Sequence, residues 1–363
     1  MRPERIGFFN SCRHWGGGEK WHLETAVHFA QRGHPVLLVT HRRGALHDKA
    51  EASPVAHHAL AVSNLSFLNP FKILRIARLL RRQEVGVLFL NLPADLKVAA
   101  PAARLAGVRK IVYRRGSAIA VRDSGLNRWL LRRCVDLVLA NSEATRTALL
   151  ARNPALIPAE RIAVIHNGLD LAAFDAEPGA PSARQAGREI VLGTAGRLVE
   201  QKNHRFLIEL ARRLKDGGLP FRLLIAGSGP LASELSALAA ARGVSEEVRF
   251  LGFVTDMKPF LSSLDVFLLS SRWEGFAYVL VEAMAARKPV ISFLASNEGE
   301  IIVDGETGWL VPPGDLDAFA AKVIGFHEQR DRIAAFGEAG RRRVEETFTL
   351  ERALDRIEKL ILA

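Results

Sequence analysis

Twelve short apolar runs, rich in β-branched and aromatic residues, alternate with helix-patterned stretches along the whole chain, and this alternation limits the fold more than any other feature. The runs are Arg5–Asn10, Pro35–Thr40, Gly86–Asn91, Arg109–Tyr113, Val135–Ala140 and Arg161–Ile165, then Ile190–Thr194, Phe221–Ala226, Val248–Leu251, Asp265–Leu269, Pro289–Phe293 and Trp309–Val311. Most are continuous rather than alternating, as strands covered on both faces should be. They predict an α/β protein with two parallel, doubly wound, Rossmann-like sheets. A chain of 363 residues also exceeds what one hydrophobic core usually supports.

Between the two sets of runs, Glu177 to Gly187 holds two prolines, two glycines and no periodic apolar pattern, so it reads as a linker. The expected division is an N-terminal domain over 1–175, a linker over 176–187, a C-terminal domain over 188–345 and a tail over 346–363. In the tail, Leu350, Ala353, Leu354, Ile357 and Leu360 share one face of a terminal helix.

Cys12 and Cys134 are the only cysteines and sit in no metal-clip or disulfide spacing, which favours a reducing, cytoplasmic setting. The start reads as a first strand rather than a signal segment, and no apolar stretch approaches the ~20 residues needed to cross a bilayer. The net charge of +11 is unevenly spread. Residues 1–175 hold 26 Lys and Arg against 13 Asp and Glu, while 176–363 hold 24 against 26. An anionic partner for the first half follows: a phosphorylated acceptor, an acidic membrane surface or nucleic acid, with a merely solubilising surface as the plain alternative. No recognised nucleic-acid module is present, so no nucleic acid is expected.

In open α/β sheets ligands bind outside the carboxyl ends of the strands. After the first run, Gly16, Gly17 and Gly18 precede a helix, which suits either an anion site or a tight turn. After Ile190–Thr194 come Arg197 and Lys202, placed to reach one diphosphate, although a solvated loop explains them equally. Gly227-Ser228-Gly229-Pro230 follows the next run and reads as a plain turn or as a close approach to a nucleotide. Glu274 lies in the loop after a buried run, and Glu282 lies in the helix that follows. Two such carboxylates suit sugar and ribose hydroxyls, with the helix-start amides between them meeting a phosphate.

Gly196-Arg197 with Lys202-Asn203, Gly227 to Pro230, Glu274-Gly275-Phe276 with Glu282-Ala283, and Asn167-Gly168-Leu169-Asp170 together resemble the signature set of the family four retaining glycosyltransferases. The resemblance runs in order along essentially the whole chain. It implies a GT-B architecture, two Rossmann-like domains facing across a cleft, with a C-terminal helix crossing back. It implies that Arg197 and Lys202 hold the donor diphosphate, Glu274 contacts the transferred sugar and Glu282 binds the ribose. Gly16, Gly17, Gly227, Phe253, Gly275, Phe276 and Ala277 would complete the donor site, and no cofactor beyond a UDP- or GDP-sugar substrate is implied.

Two departures stand out. Ala277 replaces a glycine common in that family, and Tyr113-Arg114-Arg115-Gly116 stands where many members carry a histidine. Arg114 and Arg115 are therefore acceptor candidates, Arg115 as a stabiliser of charge or a holder of an anionic acceptor. The one Asp-x-Asp, Asp315-Leu316-Asp317, opens a late helix and reads as a cap, so no metal is implied. Residues Pro70 to Arg82 set Ile73, Ile76, Ala77 and Leu80 on one helical side and Arg75, Arg78 and Arg82 on another. With Arg128, Arg132 and Arg133, they point to an anionic glycan or glycolipid acceptor, as in lipopolysaccharide synthesis, and to peripheral contact with the inner face of an acidic membrane. The alternatives are a nucleotide-sugar epimerase or phosphorylase on the same architecture, or a basic nucleic-acid-binding protein.

Overall fold

The computed structural model describes residues 4–176 and 189–362. The linker expected over 176–187 lies outside them except for Ala176, the last residue of the helix Leu171–Ala176. By contact density the chain forms two compact units, one taking in the chain up to His166 together with the segment from Leu354 onward, the other running from Asn167 to Ala353.

The first unit holds β1 (Arg5–Asn10), β2 (Val36–Thr40), β3 (His57–Ala59), β4 (Val85–Leu90), β5 (Lys110–Arg115), β6 (Leu137–Ala140) and β7 (Ile162–Val164). They pair in parallel in the order β3-β2-β1-β4-β5-β6-β7. Both faces are covered, which is why the strands read as unbroken apolar runs. On one face Phe9, Leu88 and Leu90 pack with Ile76, Leu80 and Val98 of the helices Pro70–Arg82 and Pro93–Ala106. On the other, Phe8 stacks on Phe89 at 4.9 Å and meets Trp21 and His22 of the helix Gly17–Gln31. β3 is absent from the sequence expectation. His57-His58-Ala59 has no apolar run to mark it, and as an edge strand it is exposed to half-buried rather than enclosed.

The second unit holds β8 (Ile190–Ala195), β9 (Phe221–Ala226), β10 (Val248–Gly252), β11 (Val266–Leu269), β12 (Val290–Phe293) and β13 (Gly308–Val311), parallel in the order β10-β9-β8-β11-β12-β13. Leu192, Leu223, Leu268 and Ile291 pack under Leu207, Leu210 and Phe319 on one face. Phe267, Leu269 and Val290 meet Leu280, Met284 and Val344 on the other. The order reverses at β8, so the loops leaving β8 and β11 emerge side by side, the topological switch point of such a sheet.

Asn167-Gly168-Leu169-Asp170 binds the segment Phe348–Leu350 within this unit. Leu169 N–H donates to the Phe348 carbonyl at 2.8 Å, and Leu350 N–H donates to that of Leu169 at 2.9 Å. A Cβ on Gly168 would lie 2.4 Å from the Leu350 Cα, so no side chain fits there. Asp170 caps Ala173, and the Tyr278 hydroxyl donates to the Gly168 carbonyl. The terminal helix then runs over Leu350–Leu362.

Candidate active site

The loop after β8 begins with Gly196 and Arg197, makes a 3₁₀ turn over Glu200–Lys202 and enters the helix His204–Asp216 through Asn203. Asn203 adopts a left-handed backbone, φ +52°, which asparagine tolerates better than most residues. The loop after β11 runs from Ser270 to Ala277 into the helix Tyr278–Ala285. The two loops are sewn together. Arg272 N–H donates to the Gln201 carbonyl at 2.8 Å, the Gln201 amide donates to that of Trp273 at 2.9 Å, and the Ser270 hydroxyl reaches the carbonyls of Lys202 and Asn203.

This stitching brings Lys202 Nζ to 2.6 Å from Glu274 Oε1, both side chains largely buried. Burying an ion pair recovers little net stability, so the pair is poorly explained as a brace. Arg197 is exposed, and its guanidinium has no hydrogen-bond or ion-pair partner among the described residues. His204, at the next position inward, is buried, and burial assisted by the Lys202 charge lowers its pKa to about 4, so the ring is neutral.

Gly227, after β9, has φ +147°, and a Cβ there would sit 1.9 Å from the Gly196 carbonyl oxygen. Its N–H donates to the Gly252 carbonyl at 2.7 Å, while the Leu198 N–H donates to Ser228 at 2.9 Å. The glycine is thus demanded by the packing of three loops, which is the plain-turn reading of this segment. Phe253 follows Gly252 and is 74% exposed, an unusual state for a phenylalanine.

Glu282 is half-buried on the helix Tyr278–Ala285, whose N-cap is Ala277 at φ −78°. That backbone is open to any residue, so the missing glycine costs no strain. The Phe276 ring is buried against Tyr278 and Phe348, so its side chain packs, while the neighbouring Gly275 is half-buried. Asp315 accepts from the Ala318 N–H at 2.9 Å, the capping role read from the sequence.

In the first unit, Gly16 is the N-cap of the helix Gly17–Gln31, and Gly17 is exposed with open space around it. Beside them lies a set of polar groups around the acceptor candidate Arg114, of which the sequence reading missed Asn10, Glu19, Asn91 and Asp95. Asn10 and Asn91 both donate to Glu19 Oε1, at 3.2 and 3.4 Å, and Arg114 donates to Asn91 Oδ1 at 3.2 Å while lying 4.5 Å above the Trp21 ring. Asp95 accepts from Ser11 and from the Leu92 N–H, and burial raises its pKa to about 7 against those bonds. Arg115 is buried and donates to the Ile119 carbonyl. Asn10 and Asn91 sit at or just after the carboxyl ends of β1 and β4, as the acceptor candidate Arg114 sits near that of β5, so the strand-end rule applied residue by residue would have found them. Among the described residues, one group offers close ligand atoms for a metal, His47, Glu51 and His57 within 4.8 Å of one another, two of them exposed.

Residues 15–173 match the model "Glycosyltransferase Family 4", and residues 180–343 match "Glycosyl transferases group 1". The colanic acid glycosyltransferase WcaL of Escherichia coli, named as putative, is 34% identical over 53% of this chain and 48% of its own length. The lipopolysaccharide core mannosyltransferase LpcC of Rhizobium leguminosarum is 31% identical over 65% of this chain and 66% of its own. The chain thus spans between about half and two thirds of these curated relatives. The crystal structure of Anabaena Alr3699/HepE in complex with UDP and glucose superposes with a TM-score of 0.84 over 99% of both chains at 23% identity, which fixes the GT-B fold. With residues 15–173 matching one of these family models and 180–343 the other, the chain belongs to the group 1, family 4 glycosyltransferases.

Proposed function

We propose that the protein transfers a sugar, with retention of anomeric configuration, from a UDP- or GDP-sugar to an anionic glycan or glycolipid. The observation that carries the reading is the buried Lys202–Glu274 pair at the adjoining ends of β8 and β11, beside the exposed Arg197. A nucleoside diphosphate leaves more readily as positive groups neutralise its developing charge. Arg197, Lys202 and the amides opening the helix Tyr278–Ala285 supply that neutralisation in this reading. Glu274 then faces the transferred sugar, and Glu282 the ribose. Within the same unit the exposed Phe253 serves this reading as a platform for the base. The UDP and glucose of the Anabaena structure support the donor class, and the names of the two relatives support a cell-surface glycan as product.

For the acceptor, Arg114 and Arg115 are committed within their own unit, so the exposed residues of that unit are the better source of attraction. Phe71 is 81% exposed, and Leu65, Leu68 and Leu74 are exposed with it, flanked by exposed Arg75, Arg78 and Arg82. Apolar side chains inside a basic rim suit an anionic lipid surface. No described helix is long and apolar enough to cross a membrane. Incubation with UDP-glucose or GDP-mannose and anionic bacterial glycolipid, followed by nucleotide release and anomeric NMR of the product, tests the reading. Release that depends on Lys202 and gives the donor's own anomer supports it; release no faster than without protein, with either donor, rejects it.

A further inference from the structure

We propose that Glu298 is a positioning residue that sets the place of Glu274, and hence of the sugar, in the donor site; the proposal rests on the donor reading above. After β12 the chain turns through Leu294–Asn297 into the short helix Glu298–Ile301. Glu298 is 1% exposed, and its Oε2 accepts from the backbone N–H groups of Ala295 at 3.0 Å and Ser296 at 2.6 Å. Those two bonds tighten the turn and aim the Ser296 hydroxyl at the next loop, where its oxygen accepts from the Glu274 N–H at 3.1 Å. Glu274 in turn meets Lys202. One line of contacts therefore joins the ends of β12, β11 and β8.

Keeping a carboxylate buried here is costly. Burial raises the pKa of Glu298, the backbone bond from Ser296 opposes that, and the charge of Glu274 raises it further. Glu298 Oε1 and both polar atoms of the Asn297 side chain are buried with no hydrogen-bond partner among the described residues. The grip of Glu298 on the turn is thus exerted by Oε2 alone. A glutamine oxygen can accept the same two bonds, so Glu298→Gln keeps the geometry and removes the charge, while Glu298→Ala removes both.

Two measurements on the full chain decide. The first is calorimetric affinity for UDP, GDP and ADP and for UDP-glucose and GDP-mannose. Glu298→Ala and Ser296→Ala weaken the nucleotide sugar about tenfold relative to wild type, the size of one lost hydrogen bond, with the bare diphosphate within about twofold, and Glu298→Gln stays near wild type. The second is amide hydrogen exchange over 273–276, which needs no ligand. It accelerates in Glu298→Ala and not in Glu298→Gln. Equal losses for diphosphate and nucleotide sugar, a Gln variant as impaired as the Ala variant, or unchanged exchange in Glu298→Ala would each overturn the proposal. A wild type that binds no nucleotide while the exchange result holds rejects the donor reading and leaves the positioning of Glu274 standing.

Discussion

The carboxyl ends of the two sheets are furnished with polar side chains in different ways. In the first unit Asn10, Glu19, Asn91 and Arg114 form one chain of hydrogen bonds, and Asp95 holds Ser11 and Leu92 beside it. Nearly every group there is answered by another, and the effect is to fix the loops after β1, β4 and β5. In the second unit one buried ion pair, Lys202 with Glu274, and one exposed pair, Arg272 with Glu200, join the loops after β8 and β11, and Arg197 in the first of those loops is exposed. The first arrangement is a closed network and the second an open one. A charge that arrives with a ligand can be met only where protein charges are not already fully engaged, which is why the donor is assigned to the second.

The largest effect that would sharpen this contrast is on turnover. Lys202→Ala and Glu274→Gln are each expected to lower donor consumption by about 10²-fold or more, the scale of losing a preorganised charge at a leaving group, with the melting temperature little changed. Activity near wild type in both would remove the contrast. Next comes stability in the same loops. Gly227→Ala forces a Cβ onto the Gly196 carbonyl in a left-handed backbone, and is expected to cost about 2–4 kcal/mol in chemical denaturation; a loss under 0.5 kcal/mol would mean that the three loops are loosely joined. Flotation with anionic vesicles comes third. Phe71→Ser with Leu68→Ser should reduce binding several-fold by removing exposed apolar area, and equal flotation of variant and wild type would move the acceptor surface elsewhere.

The smallest effect belongs to the closed network. The folded pKa of Asp95, about 7, lies above its ordinary value of 3.8, so its contribution to stability is full below about pH 4 and is lost as pH rises through 7. Asp95→Asn keeps an acceptor for Ser11 and does not titrate. Its stability should fall less than that of wild type between pH 5 and pH 8, by an amount on the order of 1 kcal/mol. Parallel pH profiles would show that Asp95 is ionised throughout.

Both sheets were legible because their strands are enclosed, and enclosure leaves continuous apolar runs such as Val266–Leu269. β3 was not, since an edge strand of two histidines and an alanine carries no such mark. The candidate donor residues of the second unit stand out in the sequence as strand-end motifs, but not the division of labour proposed among them. Gly227 looks the same in sequence whether it makes room for a ligand or for Gly196. The Glu298–Ser296–Glu274 line was hidden for a different reason: it crosses from β12 to β11, and neighbours in a sheet are set by topology rather than by distance along the chain. Glu19 and Asp95 lie in the first turns of their helices, a common place for acids, so nothing in the sequence marks their contacts with Asn10 and Ser11.

Binding of UDP, GDP and ADP to the purified chain by calorimetry in EDTA, beside Arg197→Ala and Lys202→Ala, tests the central claim most directly. Binding of one nucleotide by the wild type, weakened at least about tenfold in each variant, is the predicted result. Binding unaffected by either substitution, or no binding of any of the three, would contradict the placing of the donor at the ends of β8 and β11.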